Sequence, residues 1–115
     1  MQRIYLDYAA TTPTDPEVVK AMLPYFSEMY GNPSSLHACG QEVRDGIEAA
    51  RIKVARLINA FPAEIVFTSG GTEANNTALK GTLHALKDKG DHVITSTLEH
   101  HSISETCKFL EEAGC

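Results

Sequence analysis

The stretch Phe67-Thr68-Ser69-Gly70-Gly71-Thr72-Glu73-Ala74-Asn75-Asn76 constrains this chain more than any other. The apolar run Glu64-Ile65-Val66-Phe67 stops at a hydroxyl- and glycine-rich turn, and a helical pattern follows at once. Strand, small-residue turn and helix N-terminus in that order make an anion site. The first amides of a helix lack intrahelical acceptors and point outward, and the helix dipole adds partial positive charge there. Gly70 and Gly71 let the backbone approach a ligand, and Thr72 adds a hydroxyl donor. The local reading is a phosphate cradle, with a turn that merely caps a helix as its alternative. The stretch has neither the lysine of G-x-x-x-x-G-K-[ST] nor the spacing of G-x-G-x-x-G, so a Walker loop and a dinucleotide fold are both poor fits.

The surrounding pattern predicts alternating elements. Asp15 followed by Pro16 starts a helix whose apolar face is Val18, Val19, Met22, Leu23 and Phe26, and Pro24 should kink or end it. After a turn at 30–35, Ser34 or Ser35 is expected to cap a long helix reaching about Asn59. Its stripe is Val43, Ile47, Ala50, Val54, Leu57 and Ile58, and Gly46 inside it costs roughly 1 kcal/mol relative to alanine. A strand over 64–68 leads into a helix from about Thr72 to Lys89, with Ala78, Leu79, Leu83 and Leu86 facing inward and Gly90 as its stop. His92-Val93-Ile94-Thr95 reads as a second buried strand and Glu99-His100-His101 as a turn. Ser102 with Glu105 reads as a capping box for a last helix with Ile103, Cys107 and Leu110 inward, stopped by Gly114. This alternation predicts an α/β fold with a sheet covered on both faces. Two core strands are too few for that sheet, so the expectation is the first part of a larger domain.

Composition narrows the function. A net charge of −5, with basic residues scattered along the chain, argues against a nucleic-acid-binding face. No run approaches the roughly 18 apolar residues of a membrane span, and no secretory core follows Met1, so a soluble, cytoplasmic chain is expected. Cys39, Cys107 and Cys115 are odd in number and lack C-x-x-C spacing, against a disulfide framework or a zinc site. Cys107 is expected as a small buried hydrophobe and Cys39 as a partly exposed thiol.

Four ordered segments carry more than any one of them. They are Tyr5-Leu6-Asp7-Tyr8-Ala9-Ala10-Thr11-Thr12-Pro13, Gly31-Asn32-Pro33-Ser34-Ser35-Leu36-His37, Phe67 to Asn76, and Glu99-His100-His101-Ser102-Ile103. In this order and spacing the chain, from Ile4 to its end, resembles the N-terminal part of the cysteine desulfurases, in the class V aminotransferase-like group of pyridoxal-phosphate enzymes. Selenocysteine lyases and other relatives share parts of the pattern. The resemblance implies the first part of the large pyridoxal-phosphate domain, with 1–14 as an N-terminal segment at the active-site edge and 15–115 in the cofactor-binding domain.

It also implies roles. Gly71 and Thr72 match the pair that binds the cofactor phosphate, by backbone amide and hydroxyl, and His100 matches the histidine that stacks on the pyridine ring where protons move. His101 is expected at the surface or helix start, His37 as a support of its turn, and Asp7 bonded to nearby loop amides. Asn75 and Asn76 are expected to bond locally, and His84 and His92 to be structural. The family's Schiff-base lysine, its acid beside the pyridine nitrogen and its nucleophilic cysteine all lie downstream of the matched region. Lys20, Lys53, Lys80, Lys87, Lys89 and Lys108 sit in helical or helix-end patterns, none in a Ser-x-His-Lys setting. No catalytic or metal-binding residue is therefore assigned, and the chain alone is expected to be inactive. For the intact protein the resemblance implies L-cysteine as substrate, alanine and an enzyme persulfide as products, a homodimer, and a sulfur acceptor such as an iron–sulfur scaffold protein. The other readings are a non-catalytic truncated piece or interaction module, and a related reaction such as selenocysteine lysis.

Overall fold

Asp15 opens the first helix as its residue type predicts: its carboxylate accepts from the Glu17 amide at 2.8 Å, and Pro16 takes the first helical position. In the computed structural model, which describes residues 3–115, helix α1 covers Pro16–Met22. It ends where Pro24 removes the next donor, and a single turn, α2, restarts at Pro24–Ser27. Helix α3 runs Ala38–Leu57. Its N-cap is His37, whose side chain makes no capping bond, rather than Ser34 or Ser35. Those serines lie in a turn closed on Asn32, with the Ser34 amide on its Oδ1 at 2.8 Å and the Ser35 amide on its carbonyl at 3.0 Å. Arg44 reaches back from α3 to the carbonyls of Pro33 and Ser35, at 2.9 and 3.0 Å.

Close backbone packing explains two glycines here. A Cβ on Gly40 would stand 2.6 Å from the carbonyl oxygens of Asn32 and Ser35, and one on Gly31 would run into the Cys39 carbonyl. Gly46, read from sequence as a weak point, has Tyr25 against it: the phenol oxygen would be 2.8 Å from an added Cβ. The helix stops at Asn59, which takes φ 55°, and a 3₁₀ turn at Pro62–Glu64 follows. The Glu64 carboxylate accepts from the Phe61 amide at 2.7 Å, and the Arg51 guanidinium donates to the Ile65 carbonyl at 2.5 Å.

The chain divides into two units, the first ending at Ile65 and the second spanning Val66–Cys115. In the second, α4 (Gly71–Leu86) packs against α5 (His101–Glu112). Lys80 of α4 holds its ammonium 4.7 Å from the centre of the Phe109 ring on α5. Thr106 is buried, its hydroxyl satisfied by the Ser102 carbonyl at 2.8 Å. Gly114, at φ 96°, turns the chain out of α5.

The sheet of the expected α/β fold is not formed. Among the described residues none is a strand, those of 64–68 and 92–95 included. A strand exists only through hydrogen bonds to a neighbour, which local apolar pattern cannot supply. The consequence is visible in burial: Val66 is 69% exposed and Ile94 89%. The helix faces that should cover the sheet are open as well. Val43 and Ala55 of α3 are buried, whereas Leu57 at the end of the same stripe is 84% exposed. Leu79 and Leu83 of α4 are half-buried, but Ala78 and Leu86 are exposed. Cys107 is half-buried rather than buried, and Cys39 and Cys115 are exposed. Among the described residues, no helix is long and apolar enough to cross a membrane.

Candidate functional site

Helix α4 begins at Gly71, one residue before the sequence reading, with Gly70 in extended backbone as its cap. The first main-chain bond of this helix start runs from the Ala74 amide to the Gly70 carbonyl, at 3.0 Å. The amides of Gly71 and Thr72 precede it and have no acceptor within the helix. A Cβ added at Gly70 or Gly71 would meet nothing within 4 Å. These glycines therefore relieve no crowding inside the fold; what their missing side chains leave open is the space in front of the helix end. Two outward amides, a threonine hydroxyl and the positive end of a 16-residue helix suit a phosphate.

The turn itself is braced from behind. The Glu73 carboxylate folds back, and one oxygen accepts from both the Ser69 amide and the Ser69 hydroxyl at 2.7 Å. The Ser69 hydroxyl first, and its amide second, hold this carboxyl below its ordinary value of 4.5. Thr68 closes the turn with its hydroxyl on the Gly70 carbonyl, at 3.2 Å.

His100 stands at the other helix start. It is the N-cap of α5, with Nδ1 accepting from the Ser102 amide at 3.1 Å and lying 2.9 Å from the Ser102 hydroxyl. The capping box expected from Ser102 and Glu105 does not form. Glu105 instead pairs with Lys108 at 2.6 Å, which lowers the carboxyl's pKa and raises the amine's. His100 was passed over as a cap because cap preferences favour short oxygen-bearing side chains; its Nδ1 reaches the same amide. The Ser102 hydroxyl in turn takes a hydrogen bond from Asn75 Nδ2 of α4, at 2.8 Å. Asn76 bonds within its own helix, to the Thr72 carbonyl at 3.0 Å.

Thr72 and His100, 28 residues apart in sequence, line one open depression of about 470 Å³ between the starts of α4 and α5. Lys80 and Phe109 line it too. The sequence reading put Lys80 only in a helical pattern and missed this position. His101 is the exposed first residue of α5, its ring tilted 6.2 Å from that of His100. In the first unit, His37 and Cys39 border a separate depression of about 400 Å³. Asp7 organises its loop through its main-chain carbonyl, which accepts from the Tyr5 hydroxyl at 2.8 Å and the Ala10 amide at 3.1 Å. The expected bonds from loop amides thus reach the Asp7 backbone.

Comparison with known proteins covers nearly the whole chain. The family described as aminotransferase class-V matches residues 4–115. A protein named cysteine desulfurase IscS from Dictyoglomus turgidum is 56% identical over 113 residues, which is 98% of this chain and 29% of that protein. A putative cysteine desulfurase IscS 1 from Bacillus subtilis is 52% identical over 99% of this chain and 30% of its own length. A solved structure titled NifS-like protein superposes with a TM-score of 0.89 at 39% identity, over 98% of this chain and 31% of that one. The chain thus spans about 30% of the length of the relatives it matches.

Proposed function

Because this chain belongs to the class-V aminotransferase family, we propose that it is the N-terminal portion of a pyridoxal-phosphate-dependent cysteine desulfurase. The reaction is conversion of L-cysteine to alanine with sulfur left as an enzyme persulfide, for delivery to an acceptor such as an iron–sulfur scaffold protein. The observation that carries the reading is the meeting of Thr72 and His100 in one depression at two helix starts. The names of the relatives support the reaction class. The intact protein is read as a cytoplasmic homodimer. Residues 1–14 form the segment at the active-site edge and 15–115 the first part of the cofactor domain. The extended runs at 64–68 and 92–95 gain sheet partners from further chain.

The donor set fits the cofactor. When bound, pyridoxal phosphate supplies an electron sink for carbanion chemistry. The Gly71 amide and the Thr72 amide and hydroxyl bind the phosphate; Gly70 and Gly71 keep the approach open. His100, which caps α5 and lines the same depression, would hold the cofactor ring. With Nδ1 engaged by Ser102, Nε2 is the atom that holds or passes a proton. Among the described residues, Lys80 is the lysine lining the depression, and its ammonium is drawn over Phe109. We read it as a flanking cation and place the cofactor's covalent anchor outside this chain.

The test is incubation of the 115-residue chain with pyridoxal phosphate, borohydride reduction and mass mapping, with sulfide release from L-cysteine measured in parallel. The expected result is no lysine labelled above a pyridoxal control and no sulfide above free cofactor. A stable adduct at one defined lysine, Lys80 foremost, overturns the division of labour proposed here.

A further inference from the structure

The contacts behind His100 form a relay that extends beyond Ser102, through its hydroxyl, to Asn75 on α4. Asn75 Nδ2 is a donor, and 2.8 Å away the Ser102 hydroxyl oxygen accepts from it. That leaves the hydroxyl proton free to point at His100 Nδ1, 2.9 Å off. The Ser102 backbone amide also donates to Nδ1, at 3.1 Å. A backbone amide has no acceptor role, so Nδ1 must offer its lone pair and a neutral His100 must carry its proton on Nε2. Asn75 sits on α4, three residues beyond Thr72, and Ser102 sits on α5. Both are part-buried, whereas the ring they hold is exposed.

We infer that Asn75 and Ser102 are positioning residues for His100: they fix its tautomer and aim Nε2 into the depression shared with Thr72. The inference rests on the reading of that depression as the cofactor site. Its chemical content is that proton transfer by His100 occurs at Nε2 alone, while Nδ1 is occupied as a helix cap. It also ties the two ends of the site together. The same first turns of α4 that present Gly71 and Thr72 set, through Asn75, the orientation of the imidazole.

The experiment is two-bond ¹H–¹⁵N correlation of the histidine rings in the full 115-residue chain, above the histidine titration range. In the wild-type chain His100 should show Nδ1 unprotonated and Nε2 protonated. Ser102→Ala and Asn75→Ala should each raise the minor Nδ1-protonated form roughly fivefold, the factor one ordinary hydrogen bond is worth. Ser102→Thr keeps the hydroxyl and should restore the wild-type pattern, which a merely structural role for residue 102 would not predict. His84 and His92 serve as internal references. If either alanine variant unfolds by circular dichroism, the wild-type spectrum still decides, because a Nδ1-protonated or evenly mixed His100 overturns the relay. An unchanged tautomer ratio in both folded variants overturns it as well. Adding pyridoxal phosphate separates the two claims. Ring signals of His100 that move with cofactor but ignore both variants remove the relay alone. Signals that respond to the variants but not to cofactor remove the site reading, and with it the functional meaning of the relay.

Discussion

Two side chains, Thr72 and Glu73, are adjacent in sequence and have opposite charge relations to an incoming phosphate. Thr72 offers a hydroxyl toward the depression, and a hydrogen bond to a charged group is worth about 1.5–3 kcal/mol. Thr72→Ala should therefore weaken binding of pyridoxal phosphate at least about tenfold, measured by titration, while Thr72→Ser should stay near wild type. Equal affinity in all three would remove Thr72 from the site. The Glu73 carboxylate is turned away, onto Ser69. Its pKa is lowered in the folded chain, so the stabilisation it gives is complete above the ordinary value of 4.5 and is lost as pH falls through the lowered one. The protection of the Ser69 amide, taken relative to its intrinsic exchange rate at each pH, should fall as pH drops below the ordinary value of 4.5, and in Glu73→Gln it should already be low at neutral pH. A Ser69 amide indifferent to both changes would show that Glu73 does not brace the turn. At this scale the sequence was legible for the glycine- and threonine-bearing helix start, because a local turn rule decides it. It was not legible for His100 as a cap or for Asn75 as its support, because those roles come from a contact across 27 residues.

Helices were readable where a local rule decides them. Asp15-Pro16 starts α1 and Pro24 interrupts it, as capping and the missing proline donor require. The start of α3 was not readable, because the serines that could have capped it are taken by the Asn32 turn, which Arg44 then fastens to the helix. The glycines of α3 separate the two kinds of reason. At Gly40 an added methyl meets main-chain oxygens that cannot yield, so Gly40→Ala should lower stability by about 1–3 kcal/mol. At Gly46 it meets the far end of Tyr25, which can swing aside. The helix-propensity gain then offsets that displacement, and Gly46→Ala should fall within about 0.5 kcal/mol of wild type. Urea denaturation followed by circular dichroism checks both, and a Gly40→Ala chain as stable as Gly46→Ala would refute the packing account. The strands fail for a different reason. Apolar runs at 64–68 and 92–95 state a preference for extended backbone, and only a partner turns preference into a sheet.

Among the described residues, the apolar stretches that patterning marks as core are largely solvent-exposed, Phe26, Leu57, Val66 and Ile94 among them. Patterning encodes burial against a sheet that the described residues do not form, which is why the helices were legible and the core was not. Purified alone, the chain should bind a hydrophobic dye. A monodisperse chain with a cooperative melt and no dye binding would favour an independent interaction module. The central claim is that α4 and α5 together present a phosphate cradle and a ring-facing histidine. The most direct measurement is an amide and histidine-ring NMR titration of the 115-residue chain with pyridoxal phosphate and, separately, with pyridoxal. The account predicts saturable shifts confined to Gly71, Thr72, His100 and their neighbours with the phosphate ester, and binding at least about tenfold weaker without the phosphate. Shifts elsewhere, or equal affinity for the two ligands, would contradict it.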